Sequence, residues 1–275
     1  MDFLTENHIH SKCSPDAFNT MTEMALASYK KGVRKLCFTD HCDLDNNRTG
    51  KSNPDCYNFR AGMLEMYEQA KAAVPEDMEL FLGLELGEGN HDPQRMAEIA
   101  ADPALDFVLG SLHNLKDTID FYDLEYPDLA FCNKMLDRYM DELIEISRLD
   151  SFDVMAHVCY PLRYMRRKGV REAQMNLQTH GDGLKTLFKN LIENGKGIEV
   201  NCSGLRNELL KATIPPREVV GLYKELGGEI ITIGSDAHRT QDAAFGLKDG
   251  FELIRGLGFK YVTIFRGRKP EFIKI

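Results

Sequence analysis

The stretch EIITIGSDAH, Glu229–His238, begins as a short apolar run, passes through a glycine and ends on an acid and a histidine. Such a run, bounded by turn residues, fits a strand buried on both faces in a parallel sheet. The same form recurs in VRKLCFTDH (Val33–His41), MELFLGLELGEG (Met78–Gly89), DFVLGSLH (Asp106–His113), FDVMAHVCY (Phe152–Tyr160) and GIEVNCSG (Gly197–Gly204). DFLTENHIHS (Asp2–Ser11) begins the set and makes it seven, while KYVTIFRG (Lys260–Gly267) is a candidate eighth without a polar cluster at its end.

Helical patterns separate these runs. TMTEMALASYKKG has a Thr cap and a Gly stop, and PPREVVGLYKELGG starts on Pro and ends on Gly-Gly. NFRAGMLEMYEQAKAAV, DLAFCNKMLDRYMDELIEISRL and GDGLKTLFKNLIENG carry apolar residues at three- and four-residue spacing. Strand alternating with helix predicts a parallel sheet covered by helices. No low-complexity linker or composition break divides the 275 residues, so one domain over 1–275 is expected. Two irregular stretches, Asp43–Tyr57 and Asn114–Pro127, read as long connections or active-site loops.

The formal net charge of -9 gives no general pull toward nucleic acid or anionic membrane. No apolar run is long enough for a membrane span, and MDFLTENHIH lacks the basic and apolar regions of an export signal. The seven cysteines, Cys13, Cys37, Cys42, Cys56, Cys132, Cys159 and Cys202, form no CxxC pair. Reduced thiols in a cytoplasmic protein are therefore expected.

Of the eight histidines, six (His8, His10, His41, His113, His157 and His238) fall in or just after the C-terminal end of an expected strand, and only His91 and His180 lie at helix starts. Asp16, Asp40, Glu85 and Asp236 accompany them. In parallel α/β folds the carboxyl ends of strands share one face, where ligands gather. Imidazole and carboxylate are the ligands of zinc, iron and manganese. The i, i+2 spacing of His8–His10 and of Asp236–His238 puts each pair on one side of a strand. These residues exceed the roughly four ligands of a single zinc and suit two or three ions with shared ligands. A lone strand-end histidine is more often a hydrogen-bonded core residue; the shared position of six carries the metal reading. Asp40, next to His41, faces the other side of its strand and reads as an outer partner of the ligands or as structural. Glu85 competes with Glu88, and its place inside an apolar run favours it, since a buried charge needs a partner.

HIHS, FTDH, GLELG, GSLH, AHVCYPLRY, EVNCSGLR and GSDAH resemble, in order and over nearly the whole chain, the PHP (polymerase and histidinol phosphatase) superfamily. IEVNCSGLRN followed by IPPREVVGLYKELGGEIITIGSDAHR is similar to its monofunctional histidinol-phosphate phosphatases. The resemblance implies a distorted TIM-like (β/α)7 barrel with two or three divalent transition metal ions (Zn, Mn or Fe), three being favoured. It implies a first metal on His8, His10, Glu85 and Asp236, a second on Glu85, His113 and His157, and a third on His41, His238 and Asp16. Many family members carry a histidine where Asp16 stands. Two arginines that clasp the substrate phosphate correspond to Arg163 and Arg206, and Arg239 is a further candidate.

The implied reaction is hydrolysis of L-histidinol phosphate by a metal-bridging hydroxide in histidine biosynthesis; Asp236, His238 and a metal-bound water are the candidates for giving the leaving alkoxide its proton, and the sequence does not choose among them. The implied partner is a small phosphate ester, with neither nucleic acid nor membrane. The rivals are a PHP nuclease or nucleotide phosphoesterase, a non-catalytic metal-binding protein, and a metallo-amidohydrolase. The last would have a metal-bridging lysine, and none stands at the ends of the GLELG or GSLH strands.

Overall fold

The computed structural model describes residues 4–275, so Asp2 and Phe3 of the first expected strand lie outside the described residues. In chain order the elements are β1 (Leu4–Glu6), α1 (Met21–Lys30), β2 (Val33–Asp43), the short pair β3 (Asp45–Asn46) and β4 (Lys51–Ser52), α2 (Arg60–Ala73), β5 (Glu79–Gly87), α3 (Pro93–Ala100) and β6 (Phe107–Ser111). They continue with α4 (Leu129–Ile146), β7 (Val154–Met155), α5 (Leu162–Arg167), α6 (Leu177–Glu193), β8 (Gly197–Asn201), α7 (Ser203–Arg206), α8 (Arg217–Glu225), β9 (Ile231–Gly234), α9 (Leu247–Gly256), β10 (Tyr261–Arg266) and β11 (Lys269–Lys274).

Seven strands form one sheet in the order β1-β2-β5-β6-β7-β8-β9, every neighbouring pair parallel. Its two edge strands then meet. Asn7 N donates to Ile233 O at 3.0 Å, Asp236 N to His8 O at 2.8 Å and His10 N to Ala237 O at 3.0 Å. These bonds close the sheet into a (β/α)7 barrel, as the resemblance implies. The closing seam runs between the HIH and DAH triplets themselves.

The candidate eighth strand is a strand but not a barrel strand. β10 pairs antiparallel with β11 as a terminal hairpin. Its Ile264 and Phe265 pack with Cys37, Phe81, Phe107, Leu109, Val154 and Ala156 from inside the barrel. This apolar plug fills the end of the barrel where the strands begin, which leaves the opposite end for polar chemistry.

Helix starts follow local chemistry. Thr20 caps α1 in a capping box with Glu23, as the sequence predicts. Asp128 caps α4 by accepting from Phe131 N. α6 begins at Leu177, earlier than GDGLKTLFKNLIENG suggests, with Asn176 as cap and a kink at His180. No helix among the described residues is long and apolar enough to cross a membrane.

Both irregular stretches lie beside the polar end of the barrel, and His91 links the first of them to α4. Its Nδ1 is 2.7 Å from Asp45 Oδ2 and its Nε2 is 2.8 Å from Glu142 Oε2. Asn114 Nδ2 donates to the same Asp45 oxygen at 3.2 Å. Burial alone would lower the His91 pKa; the bonds to Glu142 and Asp45 outweigh it and raise it above the ordinary value. A histidine with a raised folded pKa stabilises fully below its unfolded pKa of ~6.5, and that contribution is lost as pH rises through the folded pKa. In metal-loaded protein the melting-temperature gap between wild type and His91→Gln is therefore expected to be widest at pH 6 and to shrink toward pH 9. A gap independent of pH would show that His91 is not held as a cation.

Candidate metal centre

Glu85 is the hub of the polar end. It lies near the C-terminal end of β5, where it pairs in register with His41 of β2. Its Oε1 is 3.0 Å from His113 Nε2 and 2.7 Å from His157 Nε2. Its Oε2 is 3.1 Å from His8 Nε2, 3.5 Å from His10 Nε2 and 3.1 Å from His41 Nδ1. One fully buried carboxylate thus meets five imidazoles, with its two oxygens facing two separate groups of them. Burial alone would raise the Glu85 carboxyl, but His8, His113 and His41 outweigh it and hold it well below the usual carboxylate range.

Asp236 closes the first group. Its Oδ1 is 3.4 Å from His10 Nε2 and 3.8 Å from His8 Nε2. Its backbone sits at φ 54°, a left-handed conformation that Asp tolerates better than most residues. Asp16 and His238 complete a third group with His41. His238 Nε2 is 3.4 Å from His41 Nε2 and 3.2 Å from Asp16 Oδ2, and His41 Nε2 is 3.8 Å from Asp16 Oδ1. Asp16 is the outlying member, its side chain 59% exposed where Glu85 is 1% exposed. All nine residues that sequence reasoning assigns to metal binding are therefore in one place.

The hydrogen bonds around this cluster test whether it suits cations. His8 Nδ1 lies 2.7 Å from Glu199 Oε1, which places the proton on Nδ1 and leaves Nε2 a bare lone pair. His10 Nδ1 lies 3.1 Å from Ser14 Oγ, and that hydroxyl donates its own proton to Asp40 Oδ1 at 2.7 Å, so it accepts from His10. The two Nε2 lone pairs of His8 and His10 then face each other at 3.1 Å. The pattern repeats: His113 Nδ1 is 3.0 Å from Asp43 Oδ1, and His238 Nδ1 is 3.2 Å from the Asp236 carbonyl oxygen. Their inner nitrogens point at Glu85 and at Asp16 and His41. Lone pairs gathered on one another and on carboxylates repel unless a positive charge stands among them. The donor set and its outer partners fit divalent metal.

Protons are the competing occupants. Burial would lower His8 and His113, yet Glu199 and Glu85 raise the first well above its ordinary value, and Glu85 and Asp43 raise the second. Burial, with His238 and His41 adding to it, pushes His10 well below.

The cluster forms the floor of a cavity of about 200 Å³, walled by Tyr160, Arg163, Tyr164 and Arg239. Arg163 Nη2 donates to Ser203 Oγ at 2.7 Å and to Asp236 Oδ2 at 3.0 Å. Arg206, which the resemblance assigns to the phosphate, does not line this cavity. It stands behind the strand end, its Nη2 donating to the Asp236 carbonyl at 2.9 Å. Asp40 accepts from Ser11 N, Ser11 Oγ and Ser14 Oγ, and through Ser14 it is an outer partner of His10. His91 and His180 lie outside the cluster. The residues that sequence reasoning missed are the outer partners Ser14, Asp43 and Glu199. Of these only Glu199 carried a signal, a charge inside the apolar run GIEVN.

Residues 6–203, which include every barrel strand except β9 and all but the first two residues of β1, match the PHP domain family. A protein of Thermotoga maritima named "probable histidinol-phosphatase" is 24% identical over 272 residues, covering 99% of this chain and 100% of that one. The histidinol-phosphatase of Lactococcus lactis is 21% identical over 271 residues, covering 96% of this chain and 95% of that one. The crystal structure of histidinol phosphate phosphatase from Lactococcus lactis, complexed with zinc, L-histidinol and phosphate, superposes with a TM-score of 0.76 at 19% identity over 98% of both chains. With a family match over most of its length, a seven-stranded barrel and the histidine-carboxylate cluster at its polar end, the chain belongs to the PHP family.

Proposed function

We propose that this chain is a metal-dependent phosphomonoesterase that hydrolyses L-histidinol phosphate to L-histidinol and phosphate. The observation that carries the reading is Glu85 set among five imidazoles beneath a small cavity walled by arginine. Relatives that match end to end and bear the histidinol-phosphatase name supply the substrate. His8, His10, Glu85 and Asp236 would hold one cation, Glu85, His113 and His157 a second, and His41, His238 and Asp16 a third. Divalent cations bound there supply Lewis acidity toward phosphoryl oxygens and lower the pKa of water.

The chain's own residues do the rest. Arg163 presents a planar fork suited to phosphate oxygens. Its two bonds to Ser203 and Asp236 both leave from Nη2, so Nε and Nη1 are available to substrate. Arg206, from behind, fixes the backbone that carries Asp236. Burial would raise the Asp236 carboxyl, but His8, His10 and Arg163 hold it well below the usual range. Asp236 is thus ionised at neutral pH, which suits it to hold a cation and leaves it no proton for the leaving alkoxide. His238, nearer the cavity mouth, is the candidate donor to the leaving alkoxide at Nε2. It can ligate or donate there, not both at once, so Asp16 decides its role by completing or failing to complete the third site.

Metal-loaded protein is expected to release phosphate from L-histidinol phosphate, and His10→Ala is not. No release with Zn, Mn, Fe or Co would sink the reading. Asp16→Asn is expected to lower the metal content by one equivalent in elemental analysis while the other two remain. Unchanged stoichiometry would remove Asp16 from the ligand set.

A further inference from the structure

The cavity wall contains one arginine whose donors are not engaged. Arg163 and Arg206 are held by Ser203 and by Asp236. The Arg239 side chain makes no hydrogen bond or ion pair among the described residues, and it lines the cavity beside His238 and Asp16. Its one partner is a ring: its Cζ stands 4.8 Å from the centroid of Phe18. Phe18 is 66% exposed, more than any other large apolar side chain among the described residues. The two loops are tied where these residues project, Thr240 N donating to Asn19 Oδ1 at 3.2 Å.

We propose that Arg239 is a further ligand for the substrate phosphate and that Phe18 is its positioning residue; this rests on the phosphatase reading above. A guanidinium stacked on an aromatic ring uses its face, and its N–H edge stays free for in-plane hydrogen bonds. The ring therefore restricts the long side chain without consuming a donor. It also accounts for a phenylalanine left in water next to Asp16. The arrangement gives the cavity an anion-binding group on the Asp16–His238 side, complementing Arg163 on the Asp236 side.

The test measures turnover of L-histidinol phosphate, inhibition by inorganic phosphate, and calorimetric binding of inorganic phosphate to metal-loaded protein. Arg239→Ala is expected to raise both the KM and the phosphate inhibition constant roughly tenfold, as for one charge-assisted hydrogen bond at a solvent-accessible site, with kcat little changed. Phe18→Leu is expected to raise them roughly threefold, and Phe18→Tyr, which keeps the ring face, to restore them. Metal content and melting temperature serve as controls, with Arg239→Gln as a second variant should Arg239→Ala misfold. If wild type turns over and Arg239→Ala has the same KM and inhibition constant, the inference is overturned. Loss of binding in Phe18→Tyr equal to that in Phe18→Leu removes the stacking role. If wild type releases no phosphate, the phosphatase reading fails by itself. Calorimetry then decides Arg239 alone: weaker phosphate binding in Arg239→Ala supports the site, and unchanged or absent binding in wild type and variant alike overturns it.

Discussion

Glu85→Gln is expected to strip the protein of metal and lower kcat/KM for L-histidinol phosphate by roughly 10³-fold or more, since metal assistance is worth several kcal/mol to a transition state. The change is nearly isosteric, so packing barely alters. What changes is the charge that five imidazoles share. Both oxygens of Glu85 are in use, and each faces a different ligand group, so an amide cannot replace it: one end becomes a donor aimed at His113 and His157 or at His8 and His41. Elemental analysis with steady-state kinetics checks the result. Retained metal with modest kinetic loss would show that the two groups hold their ions without a shared carboxylate.

The same variant has a signature in metal-free protein. There the cluster is held by ion pairs between carboxylates and protonated histidines. Burial would lower His41, but Glu85 and Asp43 lift it to about 10, and His8 and His113 are raised as well. Raised histidines stabilise fully below the unfolded pKa of ~6.5 and cease to as pH climbs through their folded values. The depressed Glu85 acts with the opposite sign, its contribution present above ~4.5 and lost as pH falls through its folded pKa. Metal-free wild type is therefore expected to be most stable between about pH 4.5 and 6.5 and to lose melting temperature toward pH 10. Glu85→Gln should flatten that decline. Bound metal, which needs deprotonated ligands, should oppose it in wild type.

Much of this was legible because the barrel puts its chemistry at a repeated place. Each strand announces itself as an apolar run, and each ligand follows at the run's end, so residues 230 positions apart could be grouped before any contact was known. Legibility stopped where the cause was not local. Nothing in DFLTENHIHS or EIITIGSDAH says that these two strands meet, since that seam is dictated by barrel closure. KYVTIFRG reads as a strand but gives no sign of plugging the barrel instead of joining it, because both uses bury the same continuous run, Val262–Phe265. Ser14 and Asp43 have no periodic signature; their role comes from loops folding back over the histidines. Arg206 carries a family motif, yet nothing in that motif says that its Nη2 donates to the Asp236 carbonyl, a partner 30 residues on.

Gly234→Ala is expected to damage barrel closure and metal centre together. A methyl group at Gly234 would lie 2.2 Å from His8 Cβ and 2.5 Å from Glu199 Oε1. His8 Cβ is fixed to its backbone and cannot rotate away, so the two seam strands must separate. The seam is held there by Asn7 N donating to Ile233 O at 3.0 Å and Asp236 N donating to His8 O at 2.8 Å. Separation lengthens both bonds and disturbs the 2.7 Å contact by which Glu199 orients His8. Overpacking of this kind costs about 1–3 kcal/mol. For a chain of this size each kcal/mol lowers the melting temperature by roughly 2–4 °C. Metal affinity should fall by roughly 10–100-fold as well, the usual effect of losing an outer partner of a ligating histidine. Gly221→Ala is the control: the methyl there would meet nothing closer than 3.7 Å, inside α8, where alanine suits the helix better than glycine. Gly234→Ala with the melting temperature and metal content of wild type would mean that the two strands do not press together at His8, and that the seam is looser than its hydrogen bonds imply.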